Sequence, residues 1–310
     1  FHILALILLA PLVGSLLLLP IPTYGKKAPS SGPAIPAKLS WMLQESPPVF
    51  WGIFFIGRHL YSRLTQPDVA HASFWHLLLA VHFALHYVYR AFVYPFKMSP
   101  SSRPVPLHIA LFAFLFCLLN GYVILGLLLS SPATAVSPRD YGISWSSHIF
   151  FLGLLIFHIG AWGNRRADRR LAAMRAAPGP GTVRRNNYIL PTGGMYNLVS
   201  SPHYLAELFE WAGFAVATIG LPFTPYSVAL DRIAISASAA SVLPSSLAGV
   251  FSSAEWLLPN LPTISRVALA FWLFAFANLA PRAWTTHTWY REQFGNKYPS
   301  SRRALIPYIL

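Results

Sequence analysis

Residues 187–211 read NYILPTGGMYNLVSSPHYLAELFEW and decide how the rest of the chain is interpreted. Pro191 and a pair of glycines break the first part, so we predict a loop there. The second part has the pattern of an apolar helix, on which His203, Glu207 and Glu210 share one face or nearly so. A carboxylate in an apolar segment is costly unless it meets a partner, a ligand or water. We therefore expect this stretch to receive a polar ligand at membrane depth.

The composition indicates an all-α integral membrane protein. Of the 310 residues, 55% are hydrophobic and only 10% are charged. The net charge of +14 could suggest nucleic acid, but the basic residues lie between apolar runs, so we expect no nucleic-acid partner. The single cysteine, Cys117, rules out an internal disulfide and a cysteine-rich metal site. We predict no metal.

Seven apolar runs have about the length of 20 residues that a bilayer core requires. We predict spans at residues 1–20, 42–57, 72–95, 106–130, 144–163, 201–222 and 264–286. The second span is interrupted by polar residues and prolines (Gln44, Glu45, Pro47 and Pro48), so we expect a broken or partly re-entrant helix. The whole chain is predicted to be one domain.

The basic residues predict the orientation of these spans. Most lysines and arginines fall in the loops after spans 1, 3 and 5 and in the tail. By the positive-inside rule, the C-terminus lies in the cytosol and the N-terminus in the lumen. Residues 222–262, rich in serine, proline and alanine, are then a lumenal insertion.

Residues 164–187 are predicted to form a cytosolic loop with seven arginines. One interpretation is a basic collar that contacts anionic lipid. The other is a binding site for a phosphorylated cofactor, because a guanidinium grips phosphate with paired hydrogen bonds. The residues alone leave both open.

Two places in the first half could carry chemistry. Glu45 lies among tryptophans and phenylalanines, where a carboxyl tends to stay protonated and could donate a hydrogen bond to a carbonyl. Glu45 could equally be a polar residue at a span end that faces lipid headgroups.

Span 3 places His86, Tyr87 and Arg90 together on an apolar helix, and an aromatic belt does not explain the arginine. His82 and His86 have the spacing of metal ligands, but no third ligand is evident.

The residues resemble the steroid 5α-reductase family over most of the chain. The C-terminal motifs are Tyr188-x-x-Pro191-x-Gly193-Gly194, Tyr204-Leu205-x-Glu207, Glu210-Trp211-x-Gly213, Arg282-Ala283, His287, Tyr290 and Tyr298-Pro299 … Ser301-Arg302 … Ala304-Leu305-Ile306-Pro307. The N-terminal motifs are Tyr24-Gly25-Lys26, Leu43-Gln44-Glu45 and His86-Tyr87 … Arg90-x-Phe92-Val93-Tyr94.

The resemblance implies seven helices around a cavity that holds cofactor and substrate. It also implies an enzyme of the endoplasmic reticulum membrane, a monomer, that reduces the 4,5 double bond of a 3-oxo-Δ4-steroid with NADPH. It implies a substrate half at about 1–130 and a cofactor-binding part at about 144–310. Its catalytic residues would be Glu45 and Tyr87, which hydrogen-bond the 3-oxo group, with Gln44 beside them. Its cofactor-binding residues would be Tyr24, Arg90, Arg103, Asn164, Asp168, Arg175, His203, Glu207 and Tyr290.

This sequence departs from the family pattern at three positions. His203 stands where the family usually has asparagine, Thr286 where a histidine can occur and Ile189 where an arginine can occur. No Rossmann glycine fingerprint is present, so helices and loops would have to hold the cofactor.

Other functions remain open from the sequence. A polyprenal-type or long-chain enoyl thioester reductase would keep the fold and change the substrate. A membrane methyltransferase of the isoprenylcysteine type also ends in a loop-helix cofactor site with histidine and glutamate. A transporter or channel could use the intramembrane acids as an ion path, but no inverted repeat is apparent.

Overall fold

The computed structural model describes residues 32–69, 71–98, 102–130, 145–179, 182–185, 188–221 and 261–309. These residues are mostly helical. The elements are β1 Ala34–Ile35, α1 Ala37–Glu45, α2 Pro47–Thr65, α3 Phe74–Val88, α4 Tyr94–Lys97, β2 Val105–Pro106, α5 Leu107–Ser130, α6 Trp145–Ala176, β3 Arg184–Arg185, β4 Tyr188–Ile189, α7 Pro202–Ile219 and α8 Thr263–Phe294. A π-helical turn, Tyr89–Val93, joins α3 to α4, and 3₁₀ turns cover Gly194–Asn197 and Gly295–Lys297. Two antiparallel ribbons pair β1 with β2 and β3 with β4.

Four stretches of helix are long and apolar enough to cross a membrane. They are Phe74–Lys97, Leu107–Ser130, Ser147–Ala176 and Thr263–Lys297. They overlap the spans predicted at 72–95, 106–130, 144–163 and 264–286. The spans predicted at 42–57 and 201–222 are helical but are not among these four. The first span and nearly all of the insertion at 222–262 lie outside the described residues, so seven spans and their orientation remain predictions.

The prediction of a loop at residues 164–187 was wrong in its first half. Helix α6 continues without a break to Ala176, so the arginines between positions 165 and 175 project from a helix. The apolar pattern ends at about residue 163, but arginine and alanine are good helix formers. The helix therefore extends past the apolar run. Helix α8 also extends past its apolar run, beyond residue 286 to Phe294.

The predicted interruption of the second apolar run is confirmed. Helix α1 ends at Glu45, and α2 begins at Pro47, with Ser46 between them. Proline suits the first turn of a helix, where its missing N–H is not needed. Helix α5 packs closely against this break at Gly121. A Cβ added to this glycine would lie only 2.8 Å from Pro48 Cα.

Glycines allow α6 and α7 to pack with their backbones in contact. A Cβ on Gly153 would overlap the backbone of Ala217, and one on Gly160 would overlap the backbone of Glu210. From the opposite side, a Cβ on Gly213 would overlap the backbone of α6. Small residues that let two helices approach closely are typical of membrane helix pairs. The α6–α7 pair is therefore a tight antiparallel hairpin.

Helix α3 and the π-helical turn after it run in the same direction as α6. Long side chains bridge them at intervals of seven residues. The contacting pairs are Trp75–Phe151, His82–His158 and Tyr89–Arg165.

Candidate active site

The centre of the candidate site is Arg90, in the π-helical turn after α3. Such turns inside α-helices are frequent at functional sites. The guanidinium carbon lies 4.5 Å from the ring centre of Trp41 and 4.9 Å from that of Tyr94. Its Nη2 atom is 3.5 Å from Oε1 of Glu45, the last residue of α1. Arg90 is buried, so two rings and a carboxylate compensate for its lost hydration.

Arg90 also interacts with acids on the other side of the site. The carboxyl groups of Glu207 on α7 and Asp168 on α6 both lie within electrostatic range of its guanidinium. Arg90 therefore links the end of α1 with the α6–α7 hairpin.

Asn164 holds the beginning of α7 against α6. Its Nδ2 group donates hydrogen bonds to the His203 carbonyl at 3.1 Å and to Glu207 Oε2 at 3.3 Å. Asn164 is buried, whereas His203 and Glu207 are partly exposed. Three of the predicted cofactor-binding residues are thus in direct contact.

Asp168, Arg175 and Tyr290 lie further along α6 and α8. Asp168 interacts electrostatically with Arg90, Glu207 and Arg175. Arg175 is exposed and also interacts with the buried Tyr290. The predicted residues of α6, α7 and α8 therefore form one connected cluster.

Arg103 extends this cluster at its exposed edge. Its Nη2 group donates to the Tyr188 hydroxyl at 3.3 Å, and the Tyr188 ring lies 4.8 Å from that of Trp289. Trp289 directly precedes Tyr290 on α8. Tyr24 lies outside the described residues.

The residues predicted to bind a carbonyl group lie on the inner side of Arg90. Tyr87 is only 3% exposed, and its hydroxyl interacts electrostatically with Glu45 and Cys117 and lies next to the Asn120 amide. Gln44 is different, because its amide donates to Ser40 Oγ within α1. The structure brings Glu45 and Tyr87 together and turns Gln44 toward its own helix.

A buried pair adjoins this region. His86 Nδ1 and Glu210 Oε1 are 2.6 Å apart, and the His86 ring centre lies 4.5 Å from that of Trp211. Each acid in the quoted stretch therefore has a polar partner, as the cost of a bare carboxylate requires.

Two residues of this region, Glu210 and Asn120, were not predicted from the sequence to have a role in the site. Glu210 was visible as the second acid of an apolar helix, but its partner lies 124 positions away. Asn120 could have been found as the one amide in the apolar sequence of α5.

The C-terminal tail is fastened to the loop before α7. Val199 pairs with Arg303 in an isolated parallel bridge. Ser200 Oγ lies 2.9 Å from His287 Nδ1 and 2.6 Å from the Tyr298 hydroxyl. Burial raises the pKa of the Tyr298 hydroxyl, against the effect of its hydrogen bond with Ser200, so it stays protonated at neutral pH. The tail thus closes the side of the cluster on which Tyr290 lies.

A charged and aromatic cluster among apolar helices is the arrangement expected of a membrane enzyme. Comparison with known proteins agrees with this class. The profile of the family "3-oxo-5-alpha-steroid 4-dehydrogenase" matches residues 103–241 and 247–310. The chain belongs to this family and is an oxidoreductase that acts on CH–CH groups.

Characterised relatives are similar over almost the whole chain. The steroid 5-alpha-reductase DET2 of Gossypium hirsutum is 33% identical over 296 residues, which are 92% of this chain and 87% of the relative. The 3-oxo-5-alpha-steroid 4-dehydrogenase 2 of Homo sapiens is 31% identical, with 92% and 87% covered. The 3-oxo-5-alpha-steroid 4-dehydrogenase 1 of Rattus norvegicus is 30% identical, with 93% and 86% covered.

Proposed function

We propose that this protein reduces the 4,5 double bond of a 3-oxo-Δ4-steroid with NADPH. The names of its relatives support steroid reduction. The observation that carries the proposal is the position of Arg90, whose guanidinium contacts Glu45 and interacts with Glu207 and Asp168. One buried cation thus connects the predicted carbonyl site with the predicted cofactor site.

Reduction of a conjugated enone places negative charge on its carbonyl oxygen, because hydride adds at the β-carbon. Tyr87 and the acid form of Glu45 would donate hydrogen bonds to that oxygen. A donor aimed at a developing oxyanion contributes about 3–4 kcal/mol to the transition state. The burial of Tyr87 supports this role, since a hydrogen bond is stronger where water is excluded.

The contact with Arg90 positions Glu45. Oε1 of Glu45 lies 3.5 Å from Nη2 of Arg90, so the guanidinium would hold the carboxyl group in place beside the carbonyl oxygen of the substrate.

The residues of the cluster suit a dinucleotide. When bound, NADPH would supply the hydride. The residues proposed to hold it are Tyr24, Arg90, Arg103, Asn164, Asp168, Arg175, His203, Glu207 and Tyr290. Arg103 and Arg175 are exposed guanidiniums, which bind phosphates bidentately, and carboxylates can accept hydrogen bonds from ribose hydroxyls. Among the described residues, Arg175 makes no hydrogen bond that would occupy it.

We place the enzyme in the endoplasmic reticulum membrane as a monomer with seven spans. The four candidate spans and the basic residues near one end of α6 support a membrane setting with the cofactor cluster on the cytosolic side. The C-terminus would then be cytosolic and the N-terminus lumenal. The substrate would enter from the surrounding lipid.

Purified protein in detergent tests this function. Oxidation of NADPH is followed at 340 nm with a 3-oxo-Δ4-steroid, and the product is identified by mass spectrometry. We expect consumption of NADPH that matches the steroid reduced, and a kcat about 10²–10³-fold lower in Glu45→Ala and Tyr87→Phe. Normal turnover in both variants would contradict their assigned roles.

The same assay separates the competing functions. Reduction of a polyprenal or an enoyl thioester but not of the steroid would change the substrate class. Binding of S-adenosylmethionine without binding of NADPH would indicate a methyltransferase instead.

A further inference from the structure

Asn120 has an unused hydrogen-bond donor beside the predicted carbonyl site. It is 8% exposed, and its Nδ2 group has no hydrogen-bond partner within the described ranges. The amide lies within hydrogen-bonding reach of the Tyr87 hydroxyl, but its Nδ2 group does not have the geometry of a formed hydrogen bond. A buried donor without an acceptor costs about 1–3 kcal/mol. Such a group therefore needs an explanation.

Close packing of α5 on α2 carries Asn120 to this position. The next residue is Gly121, and a Cβ there would lie 2.8 Å from Pro48 Cα. Only glycine allows α5 to approach α2 so closely. Pro48 follows Glu45 by three residues, just after the break between α1 and α2. The same contact thus brings Asn120 into the region of Glu45 and Tyr87.

We propose that Asn120 is a positioning residue that acts through Tyr87. With substrate bound, its amide donates to the Tyr87 oxygen. A phenol has one hydrogen, so once its oxygen accepts a hydrogen bond, that hydrogen is free to point at the ketone of the substrate. Linked hydrogen bonds polarise one another, which makes Tyr87 a stronger donor. This inference rests on the proposed function and adds a third residue to its carbonyl site.

Cys117 provides a matched control. It lies one turn before Asn120 on α5, is buried and is also close to Tyr87. A thiol is a weak donor, so it cannot replace the amide. A Cys117→Ala variant disturbs the packing beside Tyr87 without removing a strong donor.

The first experiment compares Asn120→Leu with Cys117→Ala. Leucine has a similar volume and no N–H group. We expect kcat for the 3-oxo-Δ4-steroid to fall about tenfold or more in Asn120→Leu, since a donor to the oxyanion is weakened. The KM for NADPH and the melting temperature should stay close to wild type. Cys117→Ala should keep the wild-type kcat.

A double-mutant cycle distinguishes positioning from a merely structural role. If Asn120 acts through the Tyr87 hydroxyl, Asn120→Leu should cause no further loss in a Tyr87→Phe background. Asn120→Ser should recover part of the rate, because a hydroxyl can donate. If the leucine variant does not fold, the serine variant and the Asn120→Ala variant provide the same comparison.

A kcat for Asn120→Leu equal to that of Cys117→Ala would overturn the inference, and so would a loss that is additive with Tyr87→Phe. In both cases an active wild-type enzyme leaves the proposed function intact. A wild-type protein that binds NADPH but reduces no 3-oxo-Δ4-steroid would refute the proposed function and the inference with it.

Discussion

His86 and Glu210 form a buried hydrogen-bonded pair, with Nδ1 and Oε1 2.6 Å apart. The pair joins α3, which carries Tyr87, to α7, which carries Glu207. The helix that carries the proposed carbonyl site is thereby fixed against a helix that carries the proposed cofactor site. In the proposed reaction the distance between hydride donor and acceptor would decide the rate of transfer, so this connection would serve function as well as stability.

Replacing His86 with alanine should destabilise the protein strongly. The Glu210 carboxylate, whose side chain is 2% exposed, would lose its partner. Breaking a buried pair in this way costs about 3–5 kcal/mol. The melting temperature in detergent measures the effect, with His108→Ala on the exposed face of α5 as the control. Equal melting temperatures for the two variants would show that the pair contributes little.

Gly160→Ala should separate α6 from α7. Its Cβ would overlap the backbone of Glu210, and forced overpacking costs about 1–3 kcal/mol or more. Gly57→Ala on α2 is the control, since no atom lies within 4 Å of its Cβ. There alanine should be neutral or slightly stabilising. Thermal unfolding of both variants checks the prediction, and a Gly160→Ala variant as stable as the control would contradict it.

Arg90→Lys should reduce activity despite keeping the charge. Lysine has no planar group that could stack on Trp41 and Tyr94 while its charge reaches Glu45. We expect kcat/KM to fall about tenfold or more, by the loss of a stacked and charge-assisted contact. Arg63→Lys, at the exposed end of α2, is the control and should keep wild-type kinetics. Equal kinetics in the two lysine variants would remove Arg90 from the centre of the site.

Tyr298→Phe should loosen the tail. The hydroxyl is hydrogen-bonded to Ser200 and His287, and loss of such a group costs about 1–2 kcal/mol. Limited proteolysis should cut the C-terminal segment faster than in Tyr308→Phe, a control whose side chain is 80% exposed. The same cleavage rate in both variants would mean that the network does not hold the tail.

The spans were the most predictable part of the fold. A bilayer fixes the length of an apolar helix, so four runs could be placed within a few residues where they begin. The ends of α6 and α8 could not be placed, because both helices continue past their apolar runs into polar residues that show no apolar pattern. The break at Ser46 was visible because proline and polar residues interrupt the run there.

The sequence predicted which residues lie in the candidate site but not which of them contact one another. The residues carried over from the family resemblance lie in one region, apart from Tyr24, which is outside the described residues. The partner of Glu210 and the position of Asn120 depend on how α3, α5 and α7 pack. That packing is set by glycine contacts such as Gly121 on Pro48, which the sequence shows only as isolated glycines.

The most direct test follows the hydride itself. NADPH carrying deuterium at the transferred position of the nicotinamide is incubated with the purified protein and a 3-oxo-Δ4-steroid. The account predicts a 4,5-reduced product with one deuterium at the β-carbon of the former enone, formed about 10²–10³-fold more slowly by Tyr87→Phe. A reduced steroid without deuterium, or labelled product from Tyr87→Phe at the wild-type rate, would contradict it.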